Sequence, residues 1–292
     1  MDYFLKLAEP AVHSALKEDI GSGDVTTLAT IPAEKQARGR FLAKSSGIIA
    51  GLDVVELTYG LLVDWMSAAS NGGPCQPVQF RSFAADGERV AAGTVIASAA
   101  GTAQILLTAE RVALNFLQRM SGIATLTRRY AELVQGTKAV ILDTRKTAPG
   151  LRVFDKRAVQ LGGGMNHRFG LFDMALVKDN HIAAAGNIAS AVEGIRESYA
   201  AMEIEVEVAN LAQLKEALAL DVDRILLDNM TAEQMKEAVS ITAGRIPLEA
   251  SGGISLENVA AVAATGVSYI SVGALTHSVP ALDISFDLEM GD

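Results

Sequence analysis

The chain has 292 residues, half of them apolar and a fifth charged, which excludes wholesale disorder and leaves room for one large domain or two moderate ones. Its 25 Lys and Arg against 34 Asp and Glu give a net charge of −9, a poor balance for gripping nucleic acid. A single cysteine, Cys75, forbids an internal disulfide, the opening MDYFLKLAEP lacks the apolar run of a signal peptide, and the most apolar stretch, Gly47 to Met66, is broken by Asp53, Glu56 and Asp64. A cytoplasmic protein is expected.

Taken in order, the first element is a helix around Ala8 to Asp19, stopped by Gly21-Ser22-Gly23-Asp24. That GSGD has neither the spacing of a nucleotide fingerprint nor a following Lys-Ser/Thr, so it reads as a turn. Ala37 to Ala50 favours strands, Leu52 to about Met66 a helix, and Asn71-Gly72-Gly73-Pro74 a loop. From Val78 to Leu107 short β-rich runs are punctuated by Asp86-Gly87, Ala92-Gly93 and Gly101. This stretch resembles the half-barrels that carry lipoyl or biotinyl groups, but residues 78–110 contain no lysine to carry one. At Thr108 the pattern turns helical, with Val112, Leu114, Phe116, Leu117, Met120 and Ile123 on a buried face, and a second helix is expected from about Leu126 to Gln135.

Beyond this point strands and helices alternate. The predicted strands are Ala139–Leu142, Met174–Val177, Glu203–Val208, Arg224–Leu227, Pro247–Ala250 and Ser268–Val272. Helical patterns lie near Val153–Leu161, Ile188–Ala200, Leu211–Leu220, Ala232–Thr242 and Leu256–Thr265, and Thr231 with Gln234 has capping-box spacing. Such alternation implies parallel strands with right-handed crossovers. The expected fold is α/β: an N-terminal α/β sandwich-like domain over 1–111, rejoined by the tail 279–292, and an incomplete, about six-stranded β/α barrel over 112–278.

In β/α barrels the chemistry sits at the carboxyl ends of the strands. Those positions here are Asp143, Thr144, Arg145 and Lys146; Lys178, Asp179 and Asn180; Glu205 and Glu207; Asp228 and Asn229; Ser251-Gly252-Gly253-Ile254; and Gly273-Ala274. Cations occupy one arc and acids the next. The last arc is glycine-rich, able to turn main-chain N–H groups toward a phosphate. Acids at strand ends also cap helices, and Gly-Gly is often only a turn, but the arrangement recurs at every strand. The segment from Asp143 to Ile182 is a basic island as well: between Thr144 and His181 seven Lys or Arg face three Asp, a balance of +4 in a chain of −9. Together these features suggest a small anionic ligand bearing carboxylates and a second bearing phosphate, with Glu207 and Asp228 facing hydroxyls or Mg²⁺ between them. The histidines lack zinc-site spacing, and no zinc is expected.

The blocks ERVALNFLQRMSGIAT (110–125), DTRKTAPGLR (143–152), GGGMNHRFGLFD (162–173), KDNHI (178–182), EVEV (205–208), LLDNM (226–230), EASGGI (249–254) and SVGALTHS (271–278) resemble quinolinate phosphoribosyltransferase, in order along nearly the whole chain. EDIGSGDVTT (18–27) and DGERVAAG (86–93) also fit, and Arg157 departs from the family pattern, where an aromatic residue more often follows the lysine. The resemblance implies transfer of phosphoribosyl from phosphoribosyl pyrophosphate to quinolinate with decarboxylation, with Mg²⁺, in a homodimer. It implies that Arg145, His167, Arg168 and Lys178, with Arg111 of a partner subunit, bind the two carboxylates. Lys146 would lie between the substrates, and Lys146, Lys178, Glu207 and Asp228 would be catalytic. Glu207 and Asp228 would hold the ribose hydroxyls and the metal, directly or through water, while Ser251, Gly252, Gly253, Gly273 and Ala274 would take the sugar phosphate.

Three other readings are weaker. A sister enzyme of the same fold, associated with molybdenum-transport operons, need not carry the full cationic set. A Schiff-base aldolase would use Lys146 or Lys178 and be trapped by borohydride. A metabolite sensor would need an output module, and none is legible.

Overall fold

Along Gln36–Ala43 buried and exposed residues alternate: Ala37, Gly39, Phe41 and Ala43 point inward, Gln36, Arg38 and Arg40 outward. That period of two marks a strand with one face on a core. The computed structural model describes residues 3–69 and 75–290, so the loop expected at Asn71 to Pro74 lies outside the described residues. The strands are β1 (Gln36–Ala43), β2 (Gly47–Ile48), β3 (Gln79–Ser82), β4 (Arg89–Val90), β5 (Val95–Thr102), β6 (Val140–Leu142), β7 (Ala175–Val177), β8 (Ile204–Val208), β9 (Arg224–Asp228), β10 (Leu248–Ser251), β11 (Tyr269–Ser271) and β12 (Ile284–Met290).

The chain divides into two compact units. The first gathers the described parts of Met1–Leu126, Ala148–Gly162 and Val279–Asp292. Its sheet runs in the order β12-β1-β5-β3 with antiparallel pairing throughout, so the C-terminal tail does form a strand beside β1. Phe286 of β12 lies opposite Phe41 with ring centroids 4.7 Å apart, over a surface that Gly39 leaves bare. The helix Tyr3–Ile20 packs on the helix Leu52–Ala69. The GSGD turn has a plain structural role, because Asp24 caps the short helix Val25–Thr30, its Oδ1 accepting the Thr27 N–H at 3.0 Å.

One expectation is corrected here. The strand-rich run ends at Thr102, and a single helix continues from Ala103 to Leu133 where two helices were expected. Ala103-Gln104-Ile105-Leu106-Leu107 are good helix formers, and nothing between Ile123 and Leu126 breaks the helix. Its buried face, Ile105, Leu106, Ala109, Val112, Ala113, Leu117, Met120, Ala124, Thr127 and Tyr130, keeps the helical period across both expected boundaries. Gly122 sits inside it because a Cβ there would lie 2.2 Å from the Pro280 carbonyl oxygen. The expected domain break at 111/112 falls within this helix, and the compact units part at Leu126/Thr127 instead.

The second unit, Thr127–Thr147 with Gly163–Ser278, holds six parallel strands in the order β6-β11-β10-β9-β8-β7. From β7 to β11 each strand neighbours the next in sequence, and β6, the first in the chain, closes beside β11. Among the described residues no ladder joins β6 to β7, so the barrel is incomplete. On that free edge of β6, Met165 donates its N–H to the Ile141 carbonyl at 2.8 Å and accepts the Asp143 N–H at 3.2 Å. Helices follow most strands within a residue or three of the expected places, including Ala232–Thr242 with the Thr231/Gln234 capping box. Two short helices, Asp179–Ala185 and Ala274–His277, were not expected. The expected helix at Leu256–Thr265 is trimmed to Val259–Ala263, because Asn258 is engaged by the loop, accepting from Ser255 N and donating to Gly253 O. No helix among the described residues is long and apolar enough to cross a membrane.

Gly122→Ala is expected to destabilise the protein by about 1–3 kcal/mol, since the new methyl meets a main-chain oxygen rather than a yielding side chain. Urea unfolding of the variant beside the wild type, read by circular dichroism, checks this.

Candidate active site

In a parallel sheet the register decides which side chains share a face. Leu176 of β7 pairs with Glu205 of β8, which pairs with Arg224 of β9. One layer further along, Glu207, Leu226, Glu249 and Tyr269 stand in a row across β8, β9, β10 and β11, and Asp228 pairs with Ser251 beyond them. Since side chains alternate, all of these lie on one face of the sheet. At its carboxyl edge opens a cavity of about 660 Å³, lined by Arg145, Lys146, His167, Arg168, Lys178, Glu207, Asp228, Ser251, Gly252, Gly253, Gly273 and Ala274, among others. Every residue to which the family resemblance gives a role is there except Arg111, whereas Asp143, Asp179, Asn180 and Glu205, also named at strand ends, do not line it. Arg111 belongs to the other compact unit and is exposed on the helix Ala103–Leu133.

The basic island is less uniform than its sequence suggests. Arg145, Lys146, Arg168 and Lys178 line the cavity, whereas Arg152, Lys156 and Arg157 sit on the helix Arg152–Leu161 of the first unit, with Lys156 buried. His181 serves the helix Asp179–Ala185, its Nδ1 accepting the Lys178 N–H at 3.0 Å. Four cations are thus left to the cavity. Burial, then the neighbouring Arg145 charge, holds the Arg168 guanidinium below its ordinary value, against the opposing charges of Glu205 and Asp173. Arg168 is aimed by a hydrogen bond from Nη1 to the Met174 carbonyl at 3.1 Å. Across the mouth, Lys178 Nζ lies 3.1 Å from Glu207 Oε2, so the cationic and acidic arcs meet.

On the acidic side Asn229, at φ +52, donates from Nδ2 to Asp228 Oδ2 at 2.9 Å. Gly252, at φ +90, makes room for it: a Cβ there would fall 2.2 Å from Asn229 Oδ1. Gly253, at φ +61, faces open space, so its main chain can be approached closely. His277, not singled out from the sequence, also lines the cavity beside Gly273 and Lys146.

Beneath the cations lies a layer of which strand-end reasoning named only Glu205. Glu205 and Glu249 are fully buried, and both approach His167: Nε2 is 2.9 Å from Glu205 Oε2 and 3.5 Å from Glu249 Oε1. Arg224 reaches Glu249 at 3.0 Å, with its guanidinium 4.2 Å from the Tyr269 ring centroid. Burial pushes both carboxyls up to about 7, and the charge of Glu205 adds to the effect on Glu249. The expectation that His167 takes substrate carboxylates meets a physical obstacle, because its Nδ1 already accepts the Arg168 N–H at 2.7 Å and its Nε2 faces the glutamates. Glu205 was named at its strand end beside Glu207, with which it shares a face as an i, i+2 pair, but without a role. Glu249 and Arg224 become legible only once the register is known. His167, Glu205 and Glu249 also form a group with metal-ligand spacing. For Mg²⁺, Glu207 and Asp228 suit better, offering oxygen donors at the cavity wall where substrate oxygens could complete the shell.

Comparison with known proteins assigns the family. The family model for the quinolinate phosphoribosyl transferase N-terminal domain matches residues 24–121, and that for the C-terminal domain residues 123–287. The chain is 45% identical over 285 residues to a nicotinate-nucleotide pyrophosphorylase [carboxylating] of Mycobacterium leprae, covering 96% of this chain and 97% of that one. It is 43% identical over 303 residues to the chloroplastic nicotinate-nucleotide pyrophosphorylase [carboxylating] of Arabidopsis thaliana, covering 95% of this chain and 82% of that one. Among solved structures, NadC from Streptococcus pyogenes superposes with a TM-score of 0.90 at 39% identity over the whole of both chains.

A carboxyl whose folded value is raised stabilises the fold below its unfolded value, near 4.5, and that contribution is lost as pH rises through about 7. Glu249→Gln is therefore expected to flatten the fall in Tm between pH 5 and pH 8 by about 2–4 °C. Thermal melts across that range check it.

Proposed function

The chain belongs to the quinolinate phosphoribosyl transferase family, and from that premise we propose how its cavity moves phosphoribosyl onto quinolinate. The enzyme converts quinolinate and phosphoribosyl pyrophosphate to nicotinate mononucleotide, pyrophosphate and CO₂. In the first step the pyridine nitrogen supplies the electron pair that forms the bond to ribose C1, and the bond from C1 to pyrophosphate oxygen breaks with its electrons on the leaving group. Positive charge builds on the sugar and negative charge on the pyrophosphate. In the second step the alkylated, positively charged nitrogen draws the electrons left on the adjacent ring carbon as CO₂ departs, and that carbon is then protonated.

The observation that carries the assignment of roles is the meeting of Arg145, Lys146, Arg168 and Lys178 with Glu207, Asp228 and the Ser251-Gly252-Gly253 turn in one cavity. Arg145 and Arg168, with Lys178, grip the vicinal carboxylates, for which planar guanidinium groups are matched in pairs. Lys146 stands by the leaving pyrophosphate. Glu207 and Asp228 hold the ribose hydroxyls and offset the charge that grows at C1, while Ser251, Gly252, Gly253, Gly273 and Ala274 take the 5′-phosphate. Catalysis is then mainly positioning and fixed electrostatics. Glu207 and Asp228 would also hold Mg²⁺, directly or through water, and that ion supplies positive charge against the pyrophosphate.

Arg111, absent from the cavity wall, serves the site of a partner subunit in a homodimer. Met165, Phe169, Leu171 and Phe172 support such an association, since all are exposed large apolar residues within one short segment. Protein with one half-exposed cysteine and a net charge of −9 suits the cytoplasm.

Purified protein with both substrates and Mg²⁺ is expected to yield nicotinate mononucleotide and CO₂, and chelation to remove the activity until Mg²⁺ is restored. Truncation at Arg145→Ala is expected to cost about 2–5 kcal/mol in kcat/KM, as for one member of a buried charge pair. Mixing inactive Arg111→Ala and Arg145→Ala proteins should return about a quarter of wild-type activity, because half the dimers are mixed and each mixed dimer has one intact site. No recovery after subunit exchange would remove Arg111 from the partner's site.

A further inference from the structure

Two glutamates lie inside a parallel sheet where valine or leucine would cost nothing to bury. Their side chains have no exposed surface, and both oxygens of Glu205 and Oε1 of Glu249 lack any fully formed hydrogen bond among the described residues. Burying a carboxylate this way costs several kcal/mol. What the pair faces is the ring of His167, and that ring is constrained from its other side. Nδ1 accepts the Arg168 main-chain N–H at 2.7 Å, and a nitrogen that accepts carries no proton. The ring proton therefore sits on Nε2, the nitrogen 2.9 Å from Glu205. The His167 main-chain N–H is tied in turn to Asp143 Oδ1 at 2.9 Å. His167 is thus a wedge fixed at three points, and the next residue along the chain is the cation Arg168.

We propose that Glu205 and Glu249 are positioning residues: they seat the His167 ring and, through its link to the Arg168 main chain, set the face that receives the quinolinate carboxylates. This deepens the reading of the cavity as a quinolinate site and rests on it. Arg224 stands behind the pair as counter-charge to Glu249. The same three side chains have metal-ligand spacing, but a metal on Nε2 would need the proton moved to Nδ1, where the Arg168 N–H already points.

The test compares Leu and Gln at each position. Glu205→Leu and Glu249→Leu are expected to raise KM for quinolinate about tenfold or more while KM for phosphoribosyl pyrophosphate stays within about twofold. Gln, which keeps an acceptor oxygen in the same place, is expected to restore quinolinate KM to near the wild-type value. Equal rises in both KM values, or Gln as damaging as Leu, would overturn the proposal. Should the Leu variants fail to fold, ¹⁵N spectra of histidine-labelled wild type, assigned with His167→Asn, decide it. A neutral His167 protonated on Nε2 supports the arrangement; a proton on Nδ1, or a divalent metal at that ring in metal analysis, defeats it. A wild-type enzyme that fails to turn over quinolinate would sink the reading of the site instead, and the spectra would still decide how His167 is seated.

Discussion

Parallel pairing in one register is the constraint on which the second unit depends. Leu226 stands between Glu207 and Glu249, and Asp228 beside Ser251, because β8, β9 and β10 run in step. A slip of one residue along any of these strands would turn its polar set to the other face and bring apolar side chains to the cavity. The apolar residues that alternate with the functional ones prevent this. Val206, Ile225, Leu227 and Ala250 are buried on the other face, so the packing that stabilises the sheet also fixes the chemistry on its opposite face.

This explains how much could be read from the chain beforehand. The six barrel strands were legible within a residue or two, because short apolar runs between glycine-rich turns and capped helices admit few other arrangements. Lys178, Asp228, Ser251 and Gly273 followed directly, since residues at or just past a strand's carboxyl end must reach the mouth. Residues that act from behind the mouth obey a different rule. Glu249 and Arg224 matter through their neighbours on other strands, and cross-strand pairing leaves no trace in a single sequence. The helix Ala103–Leu133 holds Gly122 within it, and only the Pro280 carbonyl, far along the chain, explains that residue.

The charges form two tiers. At the mouth, Lys178 and Glu207 make a contact exposed enough for water and substrate to compete with it, so its two members can part when anions enter. Below, the glutamates, His167 and Arg224 have little access to water. Charges there exchange partners only at great cost, and they act as scaffold. A soft upper tier on a stiff lower one lets the site accept a diacid and a sugar phosphate without loosening the sheet that carries it.

The seam left between β6 and β7 has a consequence for how such an enzyme could be altered. His167 and Arg168 enter the cavity on a segment fastened at Met165 by two main-chain bonds to the edge of β6, rather than on one of the six strands. A sealed cylinder would have no slot for it. On the proposed roles acceptor recognition arrives through a side door, so the cassette from Gly163 to Met174 can be lengthened, shortened or exchanged while the half of the cavity built on β8 to β11 keeps its framework.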